Sequence, residues 1–164
     1  MARLPDPDRR LSLLDDVVGY LAEHGLANVS LRPMADALGV SVNTLMHHFG
    51  SKDGLIVAAL RRSGSIQEQV EARWLRRRPD ISQTDLMRKW WRWINASSDN
   101  LAIVRLGIEA AALDATLEGL PRQVRGEQIG LWRANIEQRL VAAGVPHEQA
   151  VVEASIAKAM FTGL

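Results

Sequence analysis

An all-α fold is predicted for this 164-residue chain by three observations. Apolar residues recur at three-to-four spacing almost throughout, no stretch alternates with the period of two that a half-buried strand needs, and Ser, Pro and Gly fall where helices start and stop. The composition agrees: 47% hydrophobic and 24% charged residues with 12 Gly and 6 Pro describe a folded chain, neither disordered nor collagen-like. No apolar run approaches the roughly 18 residues that span a bilayer, and the N-terminus lacks the apolar core of a signal peptide, so a cytoplasmic protein is expected. The absence of cysteine excludes a disulfide framework, a thiol nucleophile, a zinc-thiolate site and an iron–sulfur cluster.

The first helix follows Pro7-Asp8 and carries Leu11, Leu14, Val18, Leu21 and Ala22 on one face. Gly25 ends it; as the left-handed residue after the cap it lets Leu26 pack on Leu21, the contact of a Schellman ending. Ser30 is expected to cap a second helix running to Leu38. Pro33 is tolerable in its first turn, where amides lack helical partners, and leaves Arg32 as the amide for the Ser30 hydroxyl. Gly39-Val40-Ser41 is a short turn, and Ser41 caps a third helix from Val42 to about Phe49, ended by Gly50.

Ser51 caps a fourth helix bearing Leu55, Ile56, Ala59, Ile66, Val70 and Trp74, which stops before Pro79. Ser82, with Asp85 three residues on, starts a fifth through Leu86, Trp90, Trp93 and Ile94. A sixth runs from about Asp99 to Leu113, and residues 115 to 121 form a loop. Helices of about 121 to 143 and 146 to 164 follow, divided by Gly144 and with Pro146 near the start of the second.

The second and third helices, Ser30 to Phe49, have the layout of a helix-turn-helix. Ala35 is small where the helices cross, Gly39 supplies a left-handed turn residue, and Met34, Leu38, Val40 and Leu45 are apolar where the two helices meet. An ordinary helical hairpin needs apolar seams but not small, Gly and apolar residues in this order, so the pattern points to DNA binding.

Leu14-Asp15-Asp16 through His24-Gly25, Ser30-Leu31-Arg32, Ala35, Gly39-Val40-Ser41, Thr44-Leu45, His47-His48-Phe49 and Ser51-Lys52-Asp53-Gly54-Leu55 together resemble the TetR family of transcriptional regulators. The resemblance covers about the first 60 residues; beyond it only size and helical layout agree. It implies residues 1–52 as a three-helix helix-turn-helix DNA-binding domain and residues 53–164 as a helical effector-binding and dimerisation domain. Three positions depart from the family pattern: Asn43 where glycine is common, Pro33 where an acid is common, and Met46 where a tyrosine usually donates its hydroxyl to a phosphate, a bond Met46 cannot make.

The chemistry of the residues supports the same corner. Lys52 sits in the first turn of a helix, where the macrodipole disfavours a cation, so its place suggests an external anion such as a DNA phosphate. The Ser41 and Thr44 hydroxyls and the amides opening the third helix add phosphate donors, as do His47 and His48. Candidate base readers are Arg32, Val42, Asn43 and His47: arginine pairs with guanine, asparagine with adenine, and valine touches a thymine methyl. Net charge is only +1, and residues 1 to 60 hold five basic against seven acidic residues, so few phosphates are contacted and the salt dependence is shallow. The basic excess lies in residues 61 to 92, nine against four, and includes Arg76-Arg77-Arg78 at a helix C-terminus, read as solvated.

One recognition helix reads too little sequence for a genomic site, so a homodimer on a palindromic double-stranded operator is expected. The last two helices carry stripes suited to it: Val124, Ile129, Trp132, Ile136 and Leu140, then Val152, Ala154, Ser155, Ile156, Ala159 and Met160. The resemblance implies that such helices form a four-helix interface between subunits, and that the middle of the chain binds a small-molecule effector. Ile66, Val70, Trp74, Leu86, Trp90, Trp93, Ile94, Leu101, Val104 and Ile108 are the candidate walls of an apolar cavity, suited to a hydrophobic ligand; core packing is the competing reading. The expected mechanism is a repressor whose ligand favours one packing of the middle helices and moves the recognition helices off their spacing. No cofactor and no metal are expected: His47 and His48 are neighbours facing different directions, Asp15-Asp16 read as a solvated pair, and P-loop, GxGxxG and GxSxG motifs are absent. An enzyme is therefore disfavoured, while a helical ligand-binding protein without DNA recognition remains the alternative that duplex binding discriminates.

Overall fold

The computed structural model describes residues 7–27, 29–115 and 127–162. Among them are eight helices: α1 (Pro7–His24), α2 (Leu31–Ala37), α3 (Val42–Phe49), α4 (Lys52–Arg77), α5 (Gln83–Ile94), α6 (Ser98–Ala115), α7 (Glu127–Ala142) and α8 (His147–Thr162). Residues 29 to 115 bear out the expected starts and stops closely. Ala115, expected to open a loop, is instead the last residue of α6; residues 116 to 121 of that loop and the first residues of the seventh helix, with Val124, lie outside the described residues.

The core grows from the apolar stripe of α1. Leu14, Val17, Val18 and Leu21 are buried with Met34, Ala35, Leu45 and Phe49 from α2 and α3, and with Leu55, Ile56 and Leu60 from the start of α4. Leu106 of α6 enters the same cluster, so one buried body runs from α1 across residue 52 into α6. Where α4 meets α6, fully buried Ser63 donates its hydroxyl to the Ile103 carbonyl at 3.1 Å, which satisfies this buried polar side chain. The chain then returns as the α7–α8 pair, with Ile136, Ala150 and Ala154 buried. Gly144, at φ 89°, makes the turn between these two helices, and Pro146 stands just ahead of α8, its carbonyl accepting from Ala150.

Three local expectations need correction. α1 does not end in a Schellman pattern: Gly25 is left-handed at φ 82° and its amide bonds the Leu21 carbonyl at 2.8 Å, but the Leu26 amide turns away from the helix to Glu109. The Schellman pair appears instead at the end of α2, where Val40 donates to Ala35 and Gly39 to Asp36. Ser30 has the extended backbone of an N-cap but its hydroxyl caps nothing, because the third helical position, the usual partner, is Pro33. Asp15 is not merely solvated: it accepts from Arg62 Nε at 2.7 Å and from its Nη2 at 3.0 Å, joining α1 to α4. Both groups reach solvent, so the pair orients more than it stabilises.

Candidate nucleic-acid interface

α2 and α3 meet through the turn Leu38-Gly39-Val40, with Gly39 at φ 64°. The Ser41 hydroxyl accepts the Thr44 amide at 3.0 Å and is hydrogen-bonded to the Thr44 hydroxyl at 2.9 Å, so the cap of α3 holds two hydroxyls side by side at the helix start. Leu45 and Phe49 are buried beneath α3 and Val42 packs against the core, which leaves Asn43, Met46 and His47 on the exposed face. Arg32 is exposed on α2 and Lys52 at the first position of α4. The corner between α3 and α4 is fixed by Gly50 at φ 77°, by the Ser51 amide on the Phe49 carbonyl at 2.9 Å, and by the Ser51 hydroxyl on the Gly54 amide at 2.9 Å.

Val42, half-buried, is placed less openly than the other candidate base readers. A contribution from α1 went unread in the sequence. Arg10 donates through Nε to the His48 carbonyl at 3.3 Å and lays its guanidinium over the Phe49 ring, 5.4 Å from the centroid. Arg9 and Arg10 thereby add cations near His48, at the end of α3 opposite Ser41. Their position in the first turn of a helix, unfavourable to cations, was the available signal, the same one that singles out Lys52.

His48 Nδ1 is buried without a hydrogen-bond partner. Burial, then the neighbouring His47, Arg9 and Arg10, push the His48 imidazole below its ordinary pKa of 6.5. The unfolded chain therefore binds more protons at this residue between the lowered value and 6.5, and stability falls as pH drops through that window, being fully retained above it. Thermal melts between pH 5 and 7.5 should show a steeper loss for the native chain than for His48→Asn; equal slopes would remove His48 as the source.

Comparison with known proteins matches residues 13–59, from α1 to the start of α4, to the bacterial regulatory proteins of the tetR family. The N-terminal unit is a tetR-family helix-turn-helix. Over 53 residues the chain is 42% identical to the HTH-type transcriptional repressor KstR2 of Rhodococcus jostii, covering 32% of this chain and 26% of that protein. It is 37% identical over 57 residues to the HTH-type transcriptional regulator BetI 2 of Chromohalobacter salexigens, covering 35% and 28%. It is also 32% identical over 71 residues to the BetI regulator of Burkholderia ambifaria, covering 40% and 37%. The matched stretch thus spans between about a quarter and just over a third of these relatives, whose names are those of transcriptional regulators and not of enzymes.

The other candidate residues lie beyond the tetR-family stretch. Trp74 of α4 and Trp90 and Trp93 of α5 come together edge to face, with centroids 5.1 and 5.4 Å apart for the successive pairs. Leu86 and Val104 are buried, Ile66, Val70, Ile94 and Ile108 half-buried, and Leu101 faces solvent at 45% exposure. Glu71, which the sequence reading left out, accepts from Trp90 Nε1 at 3.0 Å and lies 3.7 Å from Arg139 of α7, so the aromatic group has an acid at its edge. A separate open groove of about 520 Å³ runs along the outer face of α5 between Gln83, Met87 and Trp91. No group of acidic and histidine side chains suited to a metal occurs among the described residues, and none of their helices is long and apolar enough to cross a membrane.

The two terminal stripes divide. Ile136 is buried within the chain, Leu140 and Ala159 are half-buried, and Val152, Ile156 and Met160 form an exposed apolar row along α8. Ala154 is buried on the other side of that helix, while Ser155 is exposed and bonds back to the Val151 carbonyl. The side chains of Ile129 and Trp132 lie outside the described residues.

Proposed function

We propose that the chain is a dimeric, cytoplasmic, sequence-specific transcriptional regulator, a repressor released from a palindromic operator by a small hydrophobic ligand. The observation that carries the reading is α3 itself: a hydroxyl-capped helix seated by Leu45, with Asn43 and His47 exposed on its outer face and Lys52 at the next helix start. In this reading residues 1–52 form the reading domain and residues 53–164 the effector and dimerisation domain. Ser41, Thr44, His48 and Lys52 hold phosphates, while Arg32, Val42, Asn43 and His47 face base edges.

The α8 row of Val152, Ile156 and Met160 supports pairing with a second copy, because it leaves three large apolar side chains at i, i+4, i+8 in water. The aromatic group around Trp90 is the proposed ligand end, and Glu71 gives it an acceptor for a ligand donor. Ligand binding would act by favouring one packing of α4, α5 and α6 over another.

Selection of bound duplexes from a random pool by the purified chain at physiological salt tests the reading. A palindrome with half-sites about one helical turn apart is expected; no enrichment by a folded, dimeric chain overturns it. On the selected duplex, Lys52→Ala is expected to weaken every sequence nearly equally, and Asn43→Ala only some base substitutions. Equal losses across sequences for both variants would take Asn43 off the list of readers.

A further inference from the structure

We infer that Glu109 is a positioning residue for duplex recognition: from α6 it clamps the turn between α1 and α2 and sets the angle at which the helix-turn-helix leaves the helical body. This rests on the duplex-reading function proposed above.

The αL ending of α1 leaves the Leu26 and Ala27 amides without helical carbonyls. Both donate to one oxygen of a side chain more than 80 residues away: Glu109 Oε1 lies 2.7 Å from the Leu26 amide and 3.3 Å from that of Ala27. Hydrogen bonds to an ionised acceptor are the stronger kind, and the buried Leu26 side chain holds its amide at the edge of the core. Gly25 admits the carboxylate, since a Cβ at that residue would stand only 3.0 Å from Oε1.

α6 also grips the far side of the reading unit. Leu106 enters the shared core, and the Ile103 carbonyl receives the Ser63 hydroxyl of α4. The helix-turn-helix is therefore held by α6 before α2, through Glu109, and after α3, through α4. Loss of the first hold frees the turn, so the fraction of molecules presenting α3 at the competent angle falls, and apparent affinity falls with it. Val104 and Ile108 sit on the same stretch of α6, so a ligand that displaced this helix would act on the clamp directly.

The full-length chain is compared with Glu109→Ala and Glu109→Gln in two readouts: exchange of the Leu26 and Ala27 amides, and affinity for the selected duplex well below the melting temperature. Glu109→Ala is expected to speed exchange at both amides and to weaken the duplex roughly tenfold, with the salt dependence of affinity unchanged because no phosphate contact is lost. Glu109→Gln keeps a carbonyl acceptor and is expected to restore both readouts. Unchanged exchange in Glu109→Ala overturns the clamp; fast exchange with native affinity overturns the positioning role and leaves only a structural tie. A native chain that binds no duplex overturns the duplex reading, and with it the role given to Glu109, whatever the amides show.

Discussion

Leu45→Ala is expected to lower stability by about 2 to 5 kcal/mol and to abolish duplex binding at temperatures where the native chain is fully folded. Leu45 is the fully buried side chain beneath α3, packed among Met34, Phe49 and the α1 stripe. Removing three carbons there takes away transfer energy and leaves a cavity that helices tied at both ends by Ser41 and Ser51 have little freedom to close. Domains of this size have total stabilities of only about 5 to 15 kcal/mol, so the loss is a large share of the whole. Urea unfolding measures it, with Met46→Ala as the control: Met46 is on the same helix but exposed, and its truncation should stay within about 0.5 kcal/mol. A Leu45→Ala change below about 1 kcal/mol would mean that α3 is not seated through this side chain.

Gly54→Ala should also destabilise, by about 1 to 3 kcal/mol, the opposite of what helix propensity predicts. In most helices alanine gains over glycine. Here an added Cβ would run into the Phe49 carbonyl oxygen, a backbone atom that already accepts from the Ser51 amide and cannot rotate out of the way. Relief requires α4 to move from the end of α3, which shifts Lys52 relative to Asn43 and disrupts the proposed phosphate contact as well. Thermal melts and duplex titration of the same variant check both parts. A variant as stable as the native chain would show that the corner relaxes cheaply and that Gly54 serves another purpose.

Gly54 was legible only as part of a resemblance; its physical role appears when the Phe49 carbonyl is placed against it. The same division runs through the chain. Ser41, Ser51 and Ser82 each cap the helix they precede because a hydroxyl two or three residues from free amides needs no distant partner. Ser30 failed for a local reason that was present in the sequence, Pro33 at the position where the amide was needed. Leu26 failed for a distant one: the acceptor that took its amide lies on α6.

The N-terminal surface was likewise half legible. Asn43, His47 and Lys52 are exposed as helical spacing requires, but Arg10 reaches α3 only because α1 and α3 pack together. In the C-terminal half, spacing could mark stripes without saying which neighbour covers each one. Ile136 and Ala154 turn inward, Val152, Ile156 and Met160 outward, and Glu71 joins the tryptophans through a contact between α4 and α5.

The all-α class, the helix starts and stops of residues 29 to 115 and the helix-turn-helix were legible in the chain, because each depends on bonds and periodicities within about one turn. The Glu109 contact, the Asp15–Arg62 pair, the Arg10 contact and the division of the terminal stripes come into view only once the helices are packed. Those depend on which helix faces which, a property of close packing between side chains tens of residues apart that no local spacing encodes.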